Sequence, residues 1–315
     1  MTRLAITLGD PTGVGPEIVA VTLATASAEV RARTIVFGHR SALAAGAAAM
    51  GVAVPADVEV REPGPAGAMV PGAPDLVSAR AQVDYLEAAI AAAQAGEVAA
   101  LVTAPISKTW ARKAGLPTPG HTELLAERFG VPQVTMAFYG PRLRVALATV
   151  HVPLAQVPTT LDRGRLGVTI AQLHASLRRD LGLATPRVGC AGSTRTPARA
   201  ACSAPTKALV EPAISDARAA GLDVVGPLIP DAAFRDHAGG AVDALVALYH
   251  DQGLIPVKLL DFEEAVNVTL GLPIVRTSPD HGTAYDIAGR GVARATSMRA
   301  ALDRAVAMLA ARAAG

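Results

Sequence analysis

Short apolar runs alternate along the chain with longer stretches in which apolar residues return every three to four positions. A short run bounded by turn residues reads as a buried strand, and the longer period reads as a helix packed on one side. Strands are therefore expected at Leu4–Leu8, Thr34–Phe37, Ala99–Val102, Val134–Ala137, Arg144–Thr149, Ala244–Leu248 and Val266–Leu270. Helices are expected at Pro16–Ala26, Ala79–Ala95, Thr122–Phe129, Leu166–Asp180, Ala208–Ala220 and Arg299–Ala311. Such alternation predicts an α/β protein with a largely parallel sheet. Glu62–Pro74, rich in glycine and proline, reads as a surface connection. Two lobes are expected at 315 residues, yet no stretch reads as a linker between sequential domains.

Composition narrows the class. With 51% hydrophobic and 18% charged residues the chain can bury a large core, which excludes wholesale disorder. A net charge of +2 and 3% aromatic residues argue against nucleic acid as a partner. No apolar run reaches the roughly 20 residues of a membrane span. The first residues lead straight into a strand, so a cytoplasmic protein without a membrane partner is expected. Two cysteines, Cys190 and Cys202, cannot build a disulfide framework. Of 29 basic residues only Lys108, Lys113, Lys207 and Lys258 are lysines, an arginine excess that suggests a GC-rich gene.

Several motifs can carry chemistry. Gly9-Asp10-Pro11-Thr12-Gly13-Val14-Gly15-Pro16-Glu17 follows the first strand and enters a helix with Pro16 in its first turn. It lacks the spacing of both common nucleotide loops, so a tight turn and a binding loop stay equally open. Thr103–Lys108 leaves a strand at its carboxyl end, where open α/β sheets place ligands, although Lys108 also reads as a solvated helix residue. Gly120-His121-Thr122-Glu123 opens a helix and can receive an anion, or is an ordinary helix start with a capping threonine. His151 and His250 each follow an apolar strand, as candidate ligands of one divalent ion or as packing residues. Lys258, Asn267 and Arg276 follow His250 at spacings that pass through one strand each, so they can converge near it or lie scattered. Asp280–Gly291, polar and glycine-punctuated, reads as a functional loop.

Taken together, Gly9–Glu17, Thr103–Lys108, Gly120–Glu123, His151–Leu154, Tyr249–Lys258, Val266–Arg276 and Asp280–Gly291 resemble, in order, the motifs of the 4-hydroxythreonine-4-phosphate dehydrogenase family of pyridoxal phosphate biosynthesis. The last segment is also similar to the adenosine-side loop of isocitrate and isopropylmalate dehydrogenases. The resemblance implies their fold, two interleaved α/β lobes with a cleft between them in a single unit over residues 1–315. It implies NAD- or NADP-dependent oxidation and decarboxylation of 4-phosphohydroxy-L-threonine, assisted by zinc, magnesium or cobalt, in a homodimer whose active site is shared. By position, His151 and His250 match metal ligands, and His121, Thr122, Lys258, Asn267 and Arg276 match substrate-binding residues. Asp280, His281, Gly282, Thr283 and Ala284 match the cofactor loop, and Asp251 and Lys258 are candidates for proton transfer. Alternatives are a threonate or erythronate 4-phosphate dehydrogenase, a metal-site-impaired homologue that only binds ligands, and a phosphate acyltransferase. The acyltransferase would leave the paired histidines without a role.

One segment departs from the family. Its third metal histidine stands in Leu-Asn-Pro-His-Ala-Gly-Glu-Gly-Gly, whereas this chain has Ser193-Thr194-Arg195-Thr196-Pro197-Ala198-Arg199-Ala200-Ala201, with Thr196 at the histidine position. A GC-rich coding of the family stretch, read after dropping its first base, translates as Ser193–Lys207 without a mismatch. A shifted reading frame is therefore expected here, the alternative being a divergent loop.

Overall fold

The computed structural model describes residues 2–65, 67–118, 120–193 and 206–315. Eleven strands are present among them: β1 Leu4–Thr7, β2 Thr34–Phe37, β3 Glu59–Arg61, β4 Ala100–Thr103, β5 Thr135–Tyr139, β6 Arg144–Leu147, β7 Val188–Ala191, β8 Val224–Leu228, β9 Ala244–Ala247, β10 Val266–Leu270 and β11 Val275–Ser278. The chain divides into two compact units, each assembled from two separate stretches.

The first unit comprises Met1–Pro132 and Leu272–Leu309. Its strands run in the order β3-β2-β1-β4-β11, and every pairing is parallel. All positions of β1, β2, β4 and β11 are buried, the condition of a parallel sheet covered on both faces. That explains runs of apolar residues without polar alternation. Leu4, Ile6, Ile18, Leu23, Ile35, Leu43, Leu86 and Ile90 form the solvent-free core of this unit.

The second unit comprises Gln133–Gly271 and Ala310–Gly315. Its strand order is β10-β5-β6-β9-β7-β8, with β5 antiparallel to both β10 and β6 and the remaining pairs parallel. Phe138, Leu143, Val145, Leu147, Leu245, Leu254 and Val257 pack together on one side. Buried Asp180 accepts from Ser176, Arg179 and Arg312, which ties the end of the last helix into the unit. Burial raises the pKa of its carboxyl, but the two guanidinium partners outweigh that and hold it below the usual carboxylate range.

The expected strands are present with small shifts at their ends, but β3, β7, β8 and β11 are additional. Gly and Pro inside β7 and β8 mask them, and Val275-Arg276-Thr277-Ser278 does not read as core although all four residues are buried. Two expected helices begin three residues early because a cap sets the start. Asp75 and Ser78 form a capping box for Leu76–Gln94, and Asp162 caps Arg163–Leu181. Short helices at Arg40–Ala49 and Pro230–Ala238 are additional, and the helix Lys108–Lys113 agrees with the reading of Lys108 as an exposed helix residue. A further helix, His250–Asp261, corrects one reading: His250 and Lys258 share it, with no strand between them. The segment 194–205, including Thr196, lies outside the described residues. No helix among those described is long and apolar enough to cross a membrane.

Candidate functional site

The candidate residues fall into two sets, one in each unit. In the first, three motif loops that are far apart in sequence form one cluster. Gly9 adopts φ +66°, and a Cβ there would stand 2.2 Å from the Pro105 carbonyl oxygen, so only glycine fits. The next amide, Asp10, donates to that same oxygen at 2.9 Å, which fastens the Gly9–Glu17 loop to the Thr103–Lys108 loop. Asp10 is fully buried and accepts from the Tyr285 hydroxyl at 2.5 Å and from Thr12 at 2.7 Å. Burial, followed by this carboxylate, pushes the Tyr285 phenol up to about 12. The Val14 amide donates to the Thr283 carbonyl at 2.9 Å, and a Cβ on Gly13 would lie 2.8 Å from that oxygen. Glu17 is buried and accepts from the amides of Gly289 and Gly291, both at 3.0 Å.

The segment Asp280–Gly291 is thus a loop fixed along its inner edge by Asp10, Val14 and Glu17. Its outer edge, including His281, Gly282 and Asp286, is exposed. Ala284 is held at φ +45°, a conformation uncommon outside glycine and frequent at binding sites. A loop tethered along one edge and polar along the other can present groups to a polar ligand. Asp10, Glu17 and Tyr285 were not candidates, because nothing in sequence spacing shows a carboxylate meeting amides some 270 residues away.

Arg276 and His121 occupy the same unit. Arg276, on β11, is 3% exposed and donates to Thr103 Oγ1 at 2.8 Å. Burial pushes its guanidinium down to about 10, with Glu123 acting in the opposite sense, so it stays charged near neutral pH. His121 and Thr122 open the helix His121–Arg128. Burial, followed by the charges of Arg276 and Lys108, holds the His121 imidazole well below its usual pKa. Its Nε2 is shut off from solvent and has no hydrogen-bond partner among the described residues. A neutral ring with an unfilled polar atom beside a buried arginine is suited to a polar, anionic ligand.

In the second unit, β6 and β9 are parallel neighbours, so both chains leave the sheet on the same side. The two exits are cross-tied: Thr149 Oγ1 donates to the Leu248 carbonyl at 2.8 Å, and Gln252 joins the Leu248 amide to the Gly192 carbonyl. His151, at φ +54°, and His250, the first residue of its helix, follow these exits with ring centroids 5.9 Å apart. His250 Nδ1 lies 2.8 Å from Asp251 Oδ1. A carboxylate oxygen accepts, so Nδ1 donates in this contact and, in the neutral ring, Nε2 is the nitrogen with a lone pair to offer, the arrangement found in carboxylate–histidine–metal sites. Two imidazoles at this separation fit one divalent ion at the usual bond length of about 2.1 Å. No group of three metal-binding side chains exists among the described residues. Lys258 lies two turns along the helix from His250, its ammonium 5.0 Å from the Phe262 ring. Asn267, on β10, keeps a buried Oδ1 with no hydrogen-bond partner among the described residues.

The model of the pyridoxal phosphate biosynthetic protein PdxA family matches residues 19–305. This chain belongs to the PdxA family. It is 42% identical to a 4-hydroxythreonine-4-phosphate dehydrogenase of Geobacter metallireducens, over 97% of this chain and 95% of that one. An Erythrobacter litoralis enzyme of the same name is 40% identical, over 95% and 94% of the two chains. The crystal structure of 4-hydroxythreonine-4-phosphate dehydrogenase from Klebsiella pneumoniae superposes with a TM-score of 0.87 at 35% identity, covering 99% and 98% of the chains. PdxA proteins are oxidoreductases, and the isopropylmalate-dehydrogenase-like fold expected from the motifs is the fold of this chain.

Proposed function

We propose that the chain oxidises the C3 alcohol of 4-phosphohydroxy-L-threonine with NAD or NADP and releases the C1 carboxylate as carbon dioxide, giving 3-amino-2-oxopropyl phosphate. The observation that carries this reading is the pair of imidazoles on adjoining strand ends, with the lone pair of His250 aimed by Asp251. His151 and His250 would hold a zinc, magnesium or cobalt ion, which when bound supplies Lewis acidity at the substrate's alcohol oxygen. Arg276, with its planar fork, and Lys258, a point charge, bind the anionic ends of the substrate. His121, Thr122 and Asn267 contribute neutral hydrogen bonds. Asp251 acts as a positioning residue because its carboxylate is engaged by His250. Asp280, His281, Gly282, Thr283 and Ala284 hold the nicotinamide cofactor.

The protein is read as a cytoplasmic homodimer whose subunits share each site. Ile255, Leu259 and Phe262, spaced on one helix face, are 67%, 80% and 64% exposed, an apolar stripe suited to a second copy of the chain. Lys258 stacks on Phe262 beside that stripe. The test is NADH formation from 4-phosphohydroxy-L-threonine and from threonate 4-phosphate, with and without added divalent metal. Metal-dependent turnover of the amino substrate at least about tenfold faster supports the reading, and equal or reversed rates overturn it. Resequencing codons 193–207 decides whether threonine or the family histidine is encoded at position 196. With Thr196 genuine, the metal loses one of the three ligands of the family arrangement, and its affinity is expected to fall relative to that arrangement.

A further inference from the structure

Lys108 opens the helix Lys108–Lys113 just after the chain leaves β4 at its carboxyl end. It is exposed, and among the described residues its ammonium makes no hydrogen bond or ion pair. The other lysine of that helix, Lys113, instead stacks on Trp110 at 3.8 Å. The stem of Lys108 crosses Gly120: a Cβ at that position would lie 3.2 Å from Lys108 Cε and 3.5 Å from Glu123 Oε2. A Cβ at residue 120 would press on the lysine stem, which would have to give by a few tenths of an ångström. The end of the Lys108 stem thus lies beside the residue that precedes His121, and its charge, after that of Arg276, acts on the His121 ring.

This group holds two cations, a neutral imidazole with an unfilled Nε2 and one carboxylate, Glu123. Like charges gathered around an unfilled polar atom are unfavourable by themselves and become favourable around an anion. We propose that Lys108 is a substrate-binding residue that, with Arg276 and His121, grips the phosphate group of the substrate within the first unit. The proposal rests on the reading that the substrate is a phosphorylated acid. It adds a residue to that site.

The test measures the affinity of inorganic phosphate by calorimetry, together with kcat and KM for 4-phosphohydroxy-L-threonine. Unaltered protein, Lys108→Met, Lys108→Arg and the control Lys113→Met are compared. Loss of a charge-assisted contact should weaken phosphate binding and raise KM by about 10- to 100-fold in Lys108→Met, with kcat within about threefold. Lys108→Arg should recover most of the loss, and Lys113→Met should match the unaltered protein. Phosphate affinity unchanged in Lys108→Met, or lowered equally in Lys113→Met, overturns the proposal. If the unaltered protein forms no NADH from this substrate, the reading of the reaction fails, while the phosphate measurement still decides Lys108.

Discussion

Glu17 sets the geometry of the candidate cofactor loop through two hydrogen bonds. Each oxygen of the buried carboxylate receives one backbone amide, from Gly289 and from Gly291, in bonds that are part-buried. Replacement by glutamine turns one acceptor into a donor facing an amide donor. Glu17→Gln should therefore lower unfolding stability by about 1–3 kcal/mol, measured in urea, because a part-buried N–H loses its partner and the buried amide gains none. Stability within about 0.5 kcal/mol of the unaltered protein would show that the two bonds are dispensable. At this scale the sequence offers the glycine spacing of Gly9–Glu17 and nothing about Tyr285 as a partner of Asp10 or Gly289 and Gly291 as partners of Glu17, each more than 270 residues further on. A turn motif is local chemistry, whereas a buried carboxylate finds its amides only in the folded chain.

The helix His250–Asp261 carries contacts of opposite character. One face packs Leu254 and Val257 into the second unit, His250 and Lys258 project candidate chemistry, and Ile255 and Leu259 meet solvent with Phe262. If the stripe receives a second subunit, Leu259→Glu places a charge in an apolar contact and should raise the dimer dissociation constant by about 100-fold or more, read by analytical ultracentrifugation. An unchanged sedimentation profile would remove the helix from the interface. The expected elements missed this helix because Gly253 and Pro256 interrupt its periodicity. Its neighbour β6 was expected, and the pairing of β6 with β9 is what brings His151 and His250 together. Sequence placed each histidine after a strand, but adjacency of two strands about 100 residues apart is a tertiary fact.

Across the whole molecule, buried histidines couple folding to pH. Burial, followed by neighbouring cations, depresses His121, and burial also depresses His237. His237 Nδ1–H donates to the Val242 carbonyl while Nε2 accepts from the Arg144 amide, a set that only the neutral ring satisfies. Their unfolded pKa lies near about 6.5. Below that value the unfolded chain takes up protons that the folded chain refuses, so stability falls as pH drops through about 6.5 toward the lower folded values. Each histidine can contribute up to about 2 kcal/mol of loss between pH 7 and pH 5. Urea unfolding across that range should give a falling midpoint, and a flat profile would contradict the burial of both rings.

The sequence by itself determined the α/β class, most strand positions and the motifs that resemble one enzyme family, since apolar periodicity and short loops are written locally. It also isolated Ser193–Lys207 as foreign to that pattern, because codon arithmetic needs no structure. Tertiary structure decided which motifs meet. Pairing of β1 with β4 brings Gly9 against Pro105, β11 beside β4 sets Arg276 on Thr103, and β6 beside β9 joins the histidines. The physical reason is that parallel strands are joined by crossovers, so neighbours in the sheet are distant in the chain and their side-chain chemistry is specified by register.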